Sequence, residues 1–181
     1  MFKKILPAGK DFIEEIVDPA DTLIDATCGN GHDSAYLSAL VPNGHVYSFD
    51  IQSQAIESAK NNYPKTNISF IHDGHENIGS HVKAPVKAGI FNLGYLPGGD
   101  KSITTAYQTT IAAINELFKL LTAGGRIIIV VYHGHDSGKI ERDALLDHLT
   151  SWDQNQAQVL MYQYINQKNN APFLLVIEKL R

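Results

Sequence analysis

The stretch Thr22-Leu23-Ile24-Asp25-Ala26-Thr27-Cys28-Gly29-Asn30-Gly31 decides the fold, because a short apolar run gives way directly to a glycine turn. Apolar residues then recur at helical spacing from His32 to Leu40, where Pro42-Asn43-Gly44 stops the helix. A strand, a glycine turn and a helix in this order are typical of the first unit of a doubly wound α/β sheet.

The same alternation continues along the chain. Further strands are predicted at residues 46–49, 68–71, 88–93 and 126–132, and further helices at 54–62, 103–121 and 143–151. Two closing strands, 159–165 and 173–179, are separated only by the turn-rich residues 167–170, which predicts an antiparallel hairpin. The pattern therefore predicts an α/β fold in one domain, residues 1–181, with a mainly parallel seven-stranded sheet, a C-terminal antiparallel hairpin and helices on both faces.

Composition narrows the protein class. The chain has 181 residues, 44% hydrophobic and 19% charged, which fits one soluble globular domain. No apolar run is long enough to span a membrane, and Gly9-Lys10-Asp11 interrupts the apolar start, so we expect no signal peptide. One cysteine allows neither an intrachain disulfide nor a thiolate metal cage, and a reducing cytoplasm is the expected location.

The net charge of the chain limits how it could bind a nucleic acid. A net charge of −4 does not favour binding by bulk attraction, so any RNA contact would need a local basic patch. The candidate cations for such a patch are Lys3, Lys4, Lys10, Lys101, Lys139, Arg142, Lys179 and Arg181, of which the first six are expected near phosphates if the substrate is tRNA.

Polar residues gather where the predicted parallel strands end. These positions are Asp25–Gly31, Asp50, Asp73–His75, 92–95 and 133–136. Ligands of doubly wound sheets bind at the carboxyl ends of the strands, so this convergence predicts the functional site.

Three of the strand ends suit a nucleoside cofactor. Asp25 could order the glycine loop or reach the amino-acid part of a zwitterionic ligand, and Asp50 could accept hydrogen bonds from ribose hydroxyls. Asp73 could accept from the amine of an adenine, where Gly74 leaves space for the ring.

The other two strand ends suit the acceptor of a reaction. The amide carbonyl of Asn92 could hold an amine, and Tyr95 could stack on a flat base. His133 and His135 could relay a proton or simply hold their loop by hydrogen bonds. Without a His-Glu-x-x-His motif or a second cysteine, we expect no metal site.

Assembled, these features resemble a class I S-adenosylmethionine-dependent methyltransferase with a Rossmann-like fold. The phrases Asp-Ala-Thr-Cys-Gly-Asn-Gly-His-Asp (25–33) and Phe-Asn-Leu-Gly-Tyr-Leu-Pro-Gly-Gly-Asp-Lys (91–101) are similar to a small bacterial family long labelled rRNA methylases. Members of that family methylate the wobble uridine of tRNA, turning 5-aminomethyl-(2-thio)uridine into its methylaminomethyl form.

The resemblance implies a cofactor, a partner and a set of site residues. The cofactor would be S-adenosyl-L-methionine, and the partner would be the anticodon loop of tRNA, with a homodimer supplying further binding surface. The implied cofactor-binding residues are Asp25, Thr27, Asn30, Gly31, His32, Asp50, Gln52, Asp73, Gly74 and His75, and the implied catalytic residues are Asn92, Tyr95, His133 and His135. Both prolines of the Asn-Pro-Pro-Tyr segment of amino-methylating enzymes are replaced here, by Leu93 and Gly94.

Three other functions are open at this stage. One is a methyltransferase of the same fold that acts on rRNA or on a small-molecule amine. A second is a nicotinamide-dependent oxidoreductase, which is disfavoured because Ser34 replaces the third glycine of the dinucleotide fingerprint. The third is a cofactor-binding protein without catalysis, disfavoured by the polar segment that begins at Asn92.

Overall fold

The computed structural model describes residues 1–83, 85–93 and 107–181, and within them the chain forms seven strands and six α-helices. The strands are β1 (Thr22–Asp25), β2 (His45–Asp50), β3 (Ile68–His72), β4 (Val86–Asn92), β5 (Leu121–Val131), β6 (Ala157–Tyr162) and β7 (Phe173–Lys179). The helices are α1 (Ile5–Glu14), α2 (His32–Leu40), α3 (Ser53–Asn62), α4 (Ile78–His81), α5 (Tyr107–Leu120) and α6 (Asp136–Thr150), and a 3-10 turn, His75–Asn77, leads into α4.

All seven strands lie in one sheet, in the order β3-β2-β1-β4-β5-β7-β6. The first five strands pair in parallel, whereas β7 is antiparallel to both β5 and β6. The predicted fold class, a mainly parallel seven-stranded sheet closed by an antiparallel hairpin, is confirmed.

The apolar run of β5 shows why both faces of the sheet are covered. Ile127 and Ile129 are fully buried in one core, which α4, α5 and α6 complete. Ile128, between them in sequence, is fully buried in the opposite core against α1 and α2. Successive strand residues point to opposite faces, so a continuous apolar run requires helices on each side.

The sheet order creates a switch point beside β1. The chain runs from β1 to β2 and β3 on one side, and then crosses to β4 on the other. The backbone N–H of Ala26 donates to the carbonyl of Ile90, and that of Cys28 donates to the carbonyl of Phe49, each at 2.9 Å. The loop after β1 is therefore held between the ends of β4 and β2, which is where ligands bind in sheets of this type.

Two helices were absent from the sequence prediction. Helix α1 buries Ile5, Ala8 and Ile13, whose spacing is helical, and Pro7 lies in its first turn, where no intrahelical N–H is needed. Helix α4 spans four residues only, too few for a periodic pattern.

The predicted start of α6 at Asp143 is wrong, because the helix begins at Asp136. Nδ1 of His135 accepts from the backbone N–H of Gly138 at 3.2 Å and caps the first turn. A Cβ on Gly138 would lie 2.6 Å from the carbonyl oxygen of Tyr132, so glycine allows this turn to approach β5. Glycine is a weak helix former, and its use here for close packing is a tertiary effect.

Strand bounds also shift near turns. Strand β5 starts at Leu121 rather than at residue 126, and residues 123–125 form an irregularity inside it, where Gly124 has a φ of 83°. Strand β6 ends at Tyr162 rather than Ile165. Residues 103–106 of the predicted helix at 103–121 lie outside the described residues.

Candidate functional site

The glycine turn after β1 is shaped by packing as well as by backbone freedom. Gly29 and Gly31 have φ values of 54° and 88°, a region that side-chain-bearing residues rarely adopt. A Cβ on Gly31 would lie 2.8 Å from the Cβ of Ala59 on α3, so the turn rests directly on that helix. Gly31 therefore serves close contact between the loop and α3.

Asp25 lies under this turn and is fully buried. Its carboxylate accepts from Ser34 Oγ at 2.6 Å and from the backbone N–H of Thr27 at 3.1 Å, and Ser34 is also 2.6 Å from Ser48 Oγ. Burial raises the pKa of Asp25 to about 7, the charge of Asp33 adds to the rise, and the bonds from Ser34 and Thr27 oppose it. This position suits the loop-ordering role of Asp25.

Asp50 ties the glycine turn to the end of β2. One carboxylate oxygen accepts from the backbone N–H of Gly29 at 3.0 Å, and the other accepts from that of Gln52 at 2.9 Å. Asp50 and Gln52 are half-buried, and Gln52 directly precedes α3. A carboxylate oxygen accepts more than one hydrogen bond, so Asp50 keeps capacity for a ligand hydroxyl.

Thr27 and Asn92 join the glycine turn to the end of β4. The hydroxyl of Thr27 accepts from the backbone N–H of Asn92 at 2.7 Å. The side-chain Nδ2 of Asn92 donates to Asp33 at 3.4 Å, and a hydrogen bond with Asn92 lowers the pKa of Tyr132, which burial and the charge of Asp33 raise. Tyr95, the other predicted residue of this segment, lies outside the described residues.

Asn30 and His32 occupy the outer side of the same turn. Asn30 is half-buried and His32 is exposed at the start of α2. Nδ1 of His32 lies 2.6 Å from the hydroxyl of Tyr63, which follows α3. The imidazole is thus oriented by a neighbouring helix while it faces solvent.

The predicted adenine segment after β3 is engaged in local contacts. Asp73 accepts from Gly74 N, from Asn77 Nδ2 and from His81 Nε2, each at 2.8 Å, and the bond from His81 is the largest cause of its lowered pKa. A Cβ on Gly74 would lie 2.1 Å from a carboxylate oxygen of Glu76, so that side chain borders the space predicted for a ring.

His75 points into the molecule rather than toward solvent. Its Nδ1 donates to the carbonyl of Ala26 at 3.1 Å, and its ring lies 5.4 Å from that of Phe91. Burial lowers the pKa of His75, because a charged imidazole is disfavoured there. The hydrogen bond from His75 thus holds the backbone directly after β1.

The two histidines after β5 are both held by hydrogen bonds. His133 is buried, its Nε2 donates to the carbonyl of Ala171 at 2.8 Å, and its Nδ1 accepts from Arg142 at 2.8 Å. His135 accepts the capping bond of α6 and lies 2.8 Å from Ser137 Oγ. Because both nitrogens of His133 have partners, this geometry favours the loop-holding interpretation for that residue.

Sequence reasoning missed side chains that shape this site. Asp33 follows the glycine turn, Tyr132 directly follows β5, and Ser34 and Ser48 complete the buried network of Asp25. Asp33 stood in the phrase used for the family resemblance, so its position was a usable signal. The sequence gives no such signal for Tyr132 or Ser48, because their role is apparent only once the folded sheet places them beside Asn92 and Asp25.

Residues 1–83, 85–93 and 107–181 contain neither a metal-binding cluster nor a membrane-spanning helix. No group of three or more His, Cys, Asp or Glu side chains there is arranged to hold a metal ion. In that same part of the chain, no helix is both long and apolar enough to cross a bilayer.

Comparison with known proteins identifies the family. The family model described as "Putative rRNA methylase" matches residues 46–178. The chain belongs to this rRNA methylase family. Its resemblance to a class I methyltransferase family, expected from the glycine turn and the segment at Asn92, is thereby confirmed.

A curated plant protein is similar to this member of the rRNA methylase family. It is the chloroplastic "tRNA (mnm(5)s(2)U34)-methyltransferase" of Arabidopsis thaliana, 39% identical over an alignment of 147 residues that covers 73% of this chain and 54% of the plant protein. The chain therefore spans about half the length of that relative.

Two solved bacterial structures have the same fold over nearly the whole chain. One, described as a "putative rRNA-methylase" from Clostridium thermocellum, is 42% identical with a TM-score of 0.97, over 99% of this chain and 100% of that one. The other, a "putative methyltransferase" from Streptococcus mutans in complex with SAH, is 40% identical with a TM-score of 0.92 and the same coverage.

Proposed function

We propose that this protein is an S-adenosyl-L-methionine-dependent N-methyltransferase that converts 5-aminomethyl-(2-thio)uridine at the tRNA wobble position into 5-methylaminomethyl-(2-thio)uridine. The observation that carries the proposal is the link between the glycine turn and Asn92, through the 2.7 Å bond from the Asn92 N–H to Thr27. This link brings an amide suited to hold an amine next to a loop suited to hold a cofactor.

The residues around the glycine turn fit the proposed cofactor. S-adenosyl-L-methionine has ribose hydroxyls, and Asp50 is a half-buried carboxylate beside the turn that could accept hydrogen bonds from them. When bound, the cofactor supplies an electrophilic methyl group on its sulfonium. The residues proposed to hold it are Thr27, Asn30, Gly31, His32, Asp50 and Gln52, with Asp73, Gly74 and His75 on the adenine side and Asp25 ordering the loop. The complex of the Streptococcus mutans relative with SAH, the demethylated cofactor, supports this choice.

Asn92 would orient the acceptor amine. Its Nδ2 donates to Asp33, so its Oδ1 is the amide atom left to accept an N–H of the amine. An amine held in this way presents its lone pair in one direction. Such alignment of two reactants contributes several kcal/mol, on the order of 7 or more in favourable cases. Tyr95 and His135 remain proposed catalytic residues in this scheme.

The RNA substrate is proposed from the printed activity of the Arabidopsis relative. Within the described residues the cations proposed to meet phosphate are Lys3, Lys4, Lys10, Lys139 and Arg142. Lys3 pairs with Asp11, and Arg142 pairs with Asp143 at 2.9 Å, so tRNA would have to compete for both. We propose one catalytic domain, residues 1–181, a homodimer that enlarges the RNA surface, and a cytoplasmic location.

The deciding experiment is a methyl-transfer assay. The protein is incubated with labelled S-adenosyl-L-methionine and total tRNA from cells that lack the gene, and the labelled nucleoside is identified by mass spectrometry. Label in methylaminomethyl-uridine is the expected result. Asn92→Ala should lose most of this label while Asn62→Ala, an exposed change on α3, should keep it.

Ribosomal RNA is the second candidate substrate, favoured by the description of the family model. The same assay separates the two, because rRNA from the deletion strain can replace tRNA. Cofactor binding with label in rRNA, or in a small amine, and none in tRNA would contradict the proposed substrate and keep the proposed cofactor.

A further inference from the structure

Asp33 is a carboxylate at the candidate site for which the function proposed above has no role yet. It lies in the first turn of α2, two residues after Gly31, and is half-buried. Its Oδ2 accepts from Nδ2 of Asn92 at 3.4 Å. Asp33 is therefore a direct neighbour of the side chain proposed to hold the amine.

No cation of the described residues forms an ion pair with Asp33; the ion pairs found there involve other acids. Lys10 Nζ lies 4.6 Å from the centre of the Tyr36 ring on α2. The charge of Asp33 acts on three ionisable groups, Asp25 on β1, Tyr36 on α2 and Tyr132 after β5. All three are acids, and the charge of Asp33 raises the pKa of each. A second carboxylate, Asp50, also acts on Asp25.

This environment favours a positively charged ligand beside Asp33. Each of these three groups is neutral or negative, and no lysine or arginine of the described residues is paired with the Asp33 carboxylate, so a cation beside it would be attracted. A primary aliphatic amine is such a cation, because most of it is protonated at neutral pH. Its ammonium form cannot attack an electrophile until one proton is removed.

We propose that Asp33 is a catalytic residue that binds the ammonium group of the substrate and accepts one of its protons. This inference rests on the proposed amine-methylating function. The N–H bond breaks, its electron pair stays on nitrogen as the lone pair, and the proton forms an O–H bond on the Asp33 carboxylate. After the new N–C bond has formed, the secondary amine leaves as a cation and Asp33 returns its proton to solvent.

Asn92 and Asp33 would act on different hydrogens of the same nitrogen. The amide oxygen of Asn92 accepts one N–H, and the carboxylate of Asp33 accepts another. The 3.4 Å contact between the two side chains fixes their relative orientation. The lone pair that appears on deprotonation first faces the Asp33 carboxyl. The amine then turns about its C–N bond, with one N–H still held by Asn92, so that the lone pair can attack the methyl group.

The first test measures binding without cofactor. Two anticodon stem-loops are titrated, one with 5-aminomethyluridine and one with unmodified uridine at the wobble position. Wild type should prefer the aminomethyl form by about tenfold or more, because an ammonium–carboxylate hydrogen bond is lost in the other. Asp33→Asn should abolish the preference, since asparagine keeps the size and an acceptor for Asn92 but not the charge.

The second test follows methyl transfer against pH. Asp33→Asn should lower kcat by about 100-fold at pH 7, and its rate should rise toward the wild-type rate as alkaline pH deprotonates the amine. Asp33→Glu, which keeps the carboxylate, should recover part of the rate. The matched control is Asp147→Asn, which removes an exposed charge from α6 and should change neither binding nor rate.

The outcomes separate this inference from the proposed function. A preference for the aminomethyl stem-loop that survives in Asp33→Asn would overturn the role of Asp33 alone. A variant that keeps its pH profile but binds S-adenosylhomocysteine at least tenfold more weakly would make Asp33 a cofactor ligand and would also overturn it. A wild-type protein with no preference between the stem-loops would overturn the proposed function and this inference together.

Discussion

The segments that follow β1 and β5 both contain polar residues and glycine, yet they have different roles in the structure. After β1, Thr27 and Asp50 hold a turn from which Asn92 and Asp33 remain at the candidate site. After β5, both nitrogens of His133 are used by Ala171 and Arg142. The position of a residue at a strand end therefore predicts which residues surround it, whereas its hydrogen bonds decide its role.

The glycines of the two strand ends give the largest expected difference. Gly31 has a φ of 88° and its Cβ would lie 2.8 Å from Ala59, whereas a Cβ on Gly134 would meet nothing within 4 Å. Gly31→Ala should lower the free energy of unfolding by about 3 kcal/mol, from a left-handed backbone and overpacking together. Chemical denaturation of Gly31→Ala and Gly134→Ala measures the two changes in unfolding free energy.

Gly134→Ala is the matched control and should stay within about 0.5 kcal/mol of wild type. Equal losses in both variants would contradict the view that the turn after β1 is packed on α3 while the turn after β5 is open. Cofactor binding by Gly31→Ala at a temperature where it is folded would then show whether the turn still forms.

Most of the fold could be predicted from local patterns. The period of the apolar residues and the turn signals gave all seven strands, because a parallel sheet with covered faces needs apolar runs between polar strand ends. The starts of α6 and β5 were wrong for one reason. Close packing against the chain after β5 places Gly138 inside α6, and a local irregularity places Gly124 inside β5, and neither contact is visible in the local sequence pattern.

The candidate site could be predicted less completely. Asp25, Asp50 and Asn92 gather as expected, because parallel strands end at the same edge. The burial of His75 and the hydrogen bonds of Asp73 could not be predicted. His75 bonds to the carbonyl of Ala26 and Asp73 bonds to His81, and only the fold brings each pair into contact. Asp33 lay in the family phrase but gained meaning only from its contact with Asn92.

His133 provides the next test of the comparison. His133→Asn should lower the free energy of unfolding by about 2 kcal/mol, because Arg142 and the carbonyl of Ala171 would lose a buried partner. The pH profile of kcat should not move if the residue only holds the loop. Denaturation and a pH series on the same preparation give both values.

His135→Asn is the control for that variant. Asparagine is a good capping residue, so the first turn of α6 should keep its cap and stability should change by less than about 0.5 kcal/mol. A shifted pH profile in His133→Asn with unchanged stability would reverse our interpretation and make His133 the proton acceptor.

Asp25 tests the buried side of the β1 end. Its pKa is raised to about 7 in the folded protein from an ordinary value of 3.8, so between these values the folded chain keeps a proton that the unfolded chain has lost. Its contribution to stability should therefore fall as pH rises from about 4 to about 7 and level off above that. Asp25→Asn should remove this dependence. Across the window, the unfolding free energy of wild type should therefore fall by at least about 1 kcal/mol relative to that of Asp25→Asn. Parallel curves for wild type and Asp25→Asn, with Asp147→Asn as the reference for an exposed carboxylate, would mean that Asp25 stays ionised under the glycine turn and that Ser34 and Thr27 outweigh its burial.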